Sequence, residues 1–205
     1  MTHIYLVRHA ESSWNPIKRL QGVQDPPLSV KGRQQAKRVG QRFRDIRLDA
    51  IYSSNLTRAF QTAEAIARAT GLSVVVEEGL QEISFGEWEG MLIPEVDLDG
   101  YHTFLEYWVH RVKYQPVSGS ESLETCRDRM VGAISRIIQR HSDGSVAVVS
   151  HGSALSLFFQ YVLETPLENM WRMQPNNCSI SLVTAKKREL KMNFYNDTCH
   201  LEDRP

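Results

Sequence analysis

Cysteine is scarce in this sequence: Cys126, Cys178 and Cys199 are odd in number and far apart, so no disulfide framework is expected. No Cys-x-x-Cys pair occurs, and the seven histidines show no spacing typical of a zinc site. Long apolar runs are missing too. The longest uncharged apolar stretch, over residues 153–163, falls short of the ~18 residues that a membrane span requires. The N-terminal run through Leu6 and Val7 is likewise too short for a signal peptide. Net charge is absent, with 24 basic and 24 acidic side chains. That balance argues against a broadly basic surface for nucleic acid, and 41% hydrophobic residues argue against a disordered chain. What these absences leave is a soluble, cytoplasmic globular protein with no nucleic-acid partner and no membrane; no oligomeric state follows from composition.

The zero net charge conceals a segregation. Residues 1–70 carry 12 basic and 5 acidic side chains, whereas residues 71–125 carry 2 basic and 11 acidic. Strand and helix signals alternate along the chain. Ile4-Tyr5-Leu6-Val7 reads as a first strand, and Ser29 as the N-cap of a helix to about Arg44. A second strand, Ala50-Ile51-Tyr52-Ser53, precedes a helix capped by Asn55 and ended by Gly71. Val74-Val75-Val76 reads as a third strand. A helix over 120–140 leads to the buried-type strand Val146-Ala147-Val148-Val149 and a helix from Gly152 to about Leu163. Alternation over 179–183 and 190–194 suggests a final hairpin. This order implies an α/β fold, a three-layer sandwich with a mainly parallel central sheet flanked by helices. The expectation is one domain over residues 1–205, with a variable insertion at about 91–119. Phe104, Tyr107, Trp108 and Tyr114 in that insertion can form either an apolar lid or a packed helix face.

Ligands in such folds bind beyond the carboxyl ends of the strands. There the chain releases Arg8-His9 after Val7, His151-Gly152 after Ser150, and Ser53-Ser54 leading into the helix that holds Arg58. A lone histidine at a strand end is more often structural than catalytic. Two histidines and two arginines on one predicted face, next to helix N-termini, suit a phosphate.

At these residues the sequence resembles the histidine phosphatase (phosphoglycerate mutase-like) superfamily. Leu6-Val7-Arg8-His9-Ala10-Glu11 with Trp14-Asn15 is similar to its signature, and residues 27–36 to its second stretch. Ser53-Ser54-Asn55-Leu56-Thr57-Arg58-Ala59 resembles the arginine motif. Leu80-Gln81-Glu82-Ile83 with Gly86-Glu87-Trp88-Glu89-Gly90 resembles the acid motif, and Ser150-His151-Gly152 the second histidine motif. Five motifs in family order, with Asn196-Asp197 and His200-Leu201 resembling the usual ending, make the likeness specific.

The resemblance implies a phosphoglycerate mutase-like fold and a set of roles. His9 would be the nucleophile that carries a covalent phosphohistidine. Arg8, Arg58 and His151 would bind the phosphoryl group, with further hydrogen bonds from Asn15, Gln21 and the backbone N–H of Gly152. Glu82 would protonate the leaving oxygen and then activate water. The ligand is a small phosphomonoester, and neither metal nor cofactor is implied. Glu87 and Glu89 read as loop-structural, Trp88 as a packing anchor, Glu121 as a helix-start residue favourable to the dipole, and His200 as structural. One position departs from the family pattern: Ala10 stands where most members have glycine, which raises the question of whether its methyl crowds the phosphate. The short insertion favours a phosphatase of broad specificity. The alternatives are a cofactor-dependent phosphoglycerate mutase, a specialised sugar-phosphate or ribazole-phosphate phosphatase, and a non-catalytic phosphate-binding module.

Overall fold

The computed structural model describes residues 1–98, 117–187 and 189–202. Its main elements are β1 (Thr2–Arg8), α1 (Val30–Phe43), β2 (Ala50–Ser53), α2 (Thr57–Thr70), β3 (Val74–Val76), α3 (Ile93–Leu98), α4 (Leu123–Arg140), β4 (Ser145–Ser150), α5 (Gly152–Val162), β5 (Ile180–Lys186) and β6 (Glu189–Asp197). The strands form one sheet in the order β3-β2-β4-β1-β5-β6. Four are parallel, β3 to β2 to β4 to β1, while β5 and β6 close the sheet antiparallel. This is the mainly parallel sheet with a terminal hairpin that the sequence pattern implies.

Helices cover both faces, and strand alternation decides which residue goes where. On one face Ile4, Leu6, Val146 and Val148 meet Met130, Ile134 and Ile137 of α4 and Leu155, Phe158 and Phe159 of α5. On the other Val7, Ile51, Ala147 and Val149 meet Ala36, Val39 and Phe43 of α1 and Ala59, Ala63 and Ile66 of α2. Because β4 lies between two layers, Val146 through Val149 are all fully buried and read as one unbroken apolar run. Each fully buried Ile, Leu or Phe in these clusters contributes ~1.5–3 kcal/mol.

Two helix starts differ from expectation. Ser29 caps α1 as its position implies, accepting from Gly32 N at 2.9 Å. The start of α2 is not capped by Asn55: that side chain accepts from Gln81 Nε2 at 2.7 Å, and the helix begins two residues later at Thr57. The cap comes from another loop, where the two carboxylate oxygens of Asp25 accept from Thr57 N and Thr57 Oγ1, each at 2.6 Å. For α4, Ser122 is the N-cap, so Glu121 precedes the helix and does not belong to its first turn. Of the insertion at 91–119, the described part contains α3 and residues 117–119; Phe104, Tyr107, Trp108 and Tyr114 lie outside the described residues.

Candidate active site

The parallel pairing of β1, β4 and β2 brings three strand ends to one edge of the sheet. Arg8 is in register with Ser150, and Ser53 with Val149. His9 N donates to Ser150 O at 2.9 Å, and Ser54 N to Val149 O at 3.0 Å. The His9 and His151 rings consequently lie 5.1 Å apart. Beside His9 opens a cavity of about 370 Å³, lined by Arg8, Asn15, Gln21, Arg58, Glu82 and Gly152, with Leu20, Phe85 and Ile93 as apolar wall.

His9 is buried, and its Nδ1 is 2.7 Å from Ala10 O. A carbonyl only accepts, so Nδ1 carries the hydrogen and Nε2 the lone pair. Burial first, then the Arg58 and Arg8 charges, hold the imidazole well below its usual proton affinity. His151 is fully buried behind His9 and is not part of the described cavity wall; its Nε2 is 2.9 Å from Ser54 Oγ. Burial and the same arginines keep it neutral as well.

The two arginines are anchored by backbone carbonyls, not by carboxylates. Arg8 Nη1 donates to Pro175 O at 2.7 Å, and Arg58 donates from Nη1 to Gln24 O and from Nη2 to Gly22 O, both at 2.7 Å. Burial lowers the Arg58 pKa to about 10, with Glu82 and Asp25 opposing that shift, so the group stays cationic at neutral pH. The Nε atoms of both arginines and Nδ1 of His151 are buried without a hydrogen-bond partner among the described residues. Asn15 and Gln21 point their amide oxygens at Ser12, to its N–H and its Oγ respectively, each at 2.8 Å. Their NH₂ groups are left as donors at the cavity wall.

Glu82 faces the start of α5. Its Oε2 accepts from Ser153 N at 3.1 Å, and its Oε1 from Ala154 N at 2.9 Å and from its neighbour Ile83 N at 3.0 Å. First-turn N–H groups lack intrahelical acceptors, so the carboxylate and the helix satisfy each other. Gly152, the first residue of α5, has no side chain to offer; a Cβ there would stand 3.3 Å from Arg8 Cζ and 3.1 Å from Gln174 Oε1. Ala10 does not crowd the cavity. Its methyl is buried among Val7, Leu28, Ala36, Ala59 and Ala63, and its N–H donates to Thr62 Oγ1 at 3.0 Å.

Arg8, His9, Asn15, Gln21, Arg58, Glu82 and Gly152 thus meet at this one edge, with His151 beside His9 in the second rank. Sequence reasoning missed Ser54 as the partner of His151, the carbonyls of Gly22, Gln24 and Pro175 that aim the arginines, and Gln174 in the wall. The Arg8–Pro175 bond spans 167 residues, and no local pattern announces a pairing of that kind.

A family model of the histidine phosphatase superfamily (branch 1) matches residues 4–198. The chain belongs to this superfamily. Among its relatives, phosphoserine phosphatase 1 of Hydrogenobacter thermophilus is 39% identical over 204 residues, covering 98% of this chain and 95% of that protein. A probable phosphoglycerate mutase GpmB of Erwinia tasmaniensis is 34% identical over 212 residues, covering 99% and 96%. Among solved structures, Bacillus stearothermophilus YhfR has a TM-score of 0.93 at 32% identity, covering 98% of this chain and 100% of that one.

The chain is therefore a phosphatase enzyme with the phosphoglycerate mutase-like fold. Elsewhere in this histidine phosphatase, Trp88 is a buried member of the core and Glu89 ties two loops together by accepting from Val23 N, Ser84 Oγ and Phe85 N. His200 Nε2 donates to Cys178 O at 2.9 Å, a bond that joins the C-terminal turn to the loop before β5. Glu121 departs from its expected part: instead of serving a helix dipole, it holds Arg129 through both carboxylate oxygens.

Proposed function

We propose that the chain, as one domain over residues 1–205, hydrolyses small phosphomonoesters through a covalent phosphohistidine on His9. The observation that carries this reading is the state of His9: a buried, neutral imidazole between two arginines, with Nδ1 engaged by Ala10 O and the lone pair on Nε2. Nε2 attacks phosphorus and the ester P–O bond breaks; Glu82 gives its proton to the departing oxygen. The Glu82 carboxylate then takes a proton from water, the water oxygen bonds to phosphorus, and the P–N bond breaks to restore His9. Arg8, Arg58, Asn15, Gln21, His151 and the Gly152 N–H supply the donors for the phosphoryl oxygens. Buried donors without partners, such as Arg8 Nε and Arg58 Nε, cost about 1–3 kcal/mol each, and an anion in the cavity offsets that cost.

The cavity lies at the small end of the ~300–1,000 Å³ range of ligand sites, which favours a compact ester. The relative named phosphoserine phosphatase 1 makes phosphoserine the first substrate to assay. The relative named as a probable phosphoglycerate mutase supports a second reading, return of the phosphoryl group to a phosphoglycerate. Incubation with 3-phosphoglycerate separates the two: free phosphate means hydrolysis, and the isomeric phosphoglycerate without phosphate means transfer. His9→Ala is expected to abolish the acid-labile phosphoenzyme seen on rapid quenching and to lower kcat by at least ~10³-fold. Retention of the labelled intermediate in that variant would overturn the assignment.

A further inference from the structure

We infer that Arg129 is a positioning residue for the acid–base step, acting through the backbone of the loop that carries Glu82. This rests on the assignment of Glu82 proposed above.

Arg129 projects from α4 with every N–H of its fork in use. Nε donates to Glu121 Oε1 at 2.9 Å and Nη2 to Glu121 Oε2 at 2.7 Å, a bidentate pair that fixes the plane of the guanidinium. On the other edge, Nη1 donates to Gly79 O at 3.0 Å and Gln81 O at 3.1 Å, and Nη2 makes a longer 3.4 Å contact with Glu82 O. Three carbonyls over four residues, 79 to 82, thus converge on one planar cation. A lysine has the charge but no fork, so it cannot serve both the carboxylate and this row of carbonyls.

Other contacts give the clamp leverage over the Glu82 side chain. The loop lies tight against α4: a Cβ on Gly79 would stand 2.7 Å from Ala133 Cβ. Ser150 Oγ, directly before His151, donates to Leu80 O at 2.7 Å, and Glu121 N donates to Ser84 O at 2.9 Å. Backbone at 79–84 is therefore pinned to α4, to β4 and to the segment before α4. The carboxylate it presents still has to meet Ser153 N and Ala154 N at hydrogen-bond distance. Rotation of the loop by a fraction of an ångström moves Glu82 relative to both the amides and the leaving oxygen. Arg129 itself is absent from the cavity wall, so a change there reaches the reaction through the Glu82 loop it holds and through its charge on His151, a charge that Arg129→Lys and Glu121→Gln both retain.

A leaving-group comparison tests this. From p-nitrophenyl phosphate the stable p-nitrophenolate departs without a proton, whereas the alkoxide oxygen of an alkyl phosphate such as phosphoserine needs one to leave. Arg129→Met, Arg129→Lys and Glu121→Gln are to be assayed on both, with Glu82→Gln as the reference. General acid catalysis contributes ~10²–10⁴-fold, so Glu82→Gln should slow the alkyl ester far more than the nitrophenyl ester. The expected result is a kcat ratio, alkyl over nitrophenyl, at least ~10-fold lower in the Arg129 variants, and lower in Glu121→Gln, with KM for both substrates little changed. A merely structural loss would slow both substrates alike and leave the ratio where it is. If Arg129→Met does not fold, Glu121→Gln, which keeps the guanidinium, decides. An unchanged ratio in Arg129→Lys and Glu121→Gln beside a lowered one in Glu82→Gln overturns the positioning role alone. An unchanged ratio in Glu82→Gln overturns the acid assignment and the inference with it.

Discussion

At the scale of single residues, the site is governed by what is allowed to approach the arginines. Arg8 is held by Pro175 O on one side, and on the other by the missing side chain of Gly152. A methyl group at 3.3 Å from Arg8 Cζ and 3.1 Å from Gln174 Oε1 is tighter than ordinary contact, and the guanidinium must give way by some tenths of an ångström. Gly152→Ala is therefore expected to fold and to bind phosphate more weakly. Misplacement of about 1 Å at a positioned group costs up to ~10²-fold, so a shift of this size should raise the inhibition constant for inorganic phosphate ~5–10-fold. Competitive inhibition against p-nitrophenyl phosphate measures it; an unchanged constant would mean that Arg8 does not depend on the glycine. Ala10 is the contrasting case. Its place beside His9 suggests interference, yet it is fully buried in the apolar layer that α1 and α2 form with the sheet, the layer that holds Ala36 and Ala63. Adjacency to His9 was legible in the sequence; the direction of the side chain was not, because tertiary packing sets it.

At the scale of elements, local signals were readable and long-range ones were hidden. Ser29 caps α1 through a bond three residues away, within reach of a sequence pattern. The cap of α2 comes from Asp25, 32 residues away, so Asn55 was the natural but mistaken choice. The substitution of caps has a functional logic. Residues 22–25 supply Gly22 O and Gln24 O to Arg58, and Asp25 to Thr57, the residue before it. One loop thus fixes both the start of α2 and the guanidinium carried in its first turn. Asp25→Ala should cost about 0.5–2 kcal/mol of stability for the lost cap. For a chain of this size each kcal/mol corresponds to a melting-temperature drop of roughly 2–4 °C. The same variant should raise KM for phosphomonoesters, since Arg58 loses the support of its loop. A melting curve and a KM measurement check both halves; a drop in melting temperature with KM unchanged would separate the cap from the site.

At the scale of the whole molecule, the segregated charge divides in an unexpected way. Two carboxylates of the acidic middle segment, Glu77 and Glu121, pair with Arg136 and Arg129 of α4, whereas Glu82 faces the first turn of α5, from where its charge acts on the buried Arg8 and Arg58 of the basic N-terminal segment. A mainly parallel sheet was implied by the alternation of strand and helix, and the strand-end residues by their motifs; the order of the strands was not. The pairing of these segments across the sheet was not, because sequence order carries no record of which helix faces which loop. Burial, and after it the nearby arginine charges, keep the imidazoles of His9 and His151 neutral in the folded chain. His9 and His151 bind protons less readily than in the unfolded chain, with burial the largest cause for each and the arginines next. The unfolded chain, with histidine pKa near 6.5, takes up protons first as the pH falls. Folding stability that is fully present above about pH 6.5 is therefore lost below it, at up to ~1.4 kcal/mol per pH unit for each of the two groups. Urea unfolding at pH 7.0, 6.0 and 5.5 should give falling midpoints, and His9→Ala should show a shallower decline by about one proton's worth. An equally steep decline in that variant would place the proton uptake on groups other than His9.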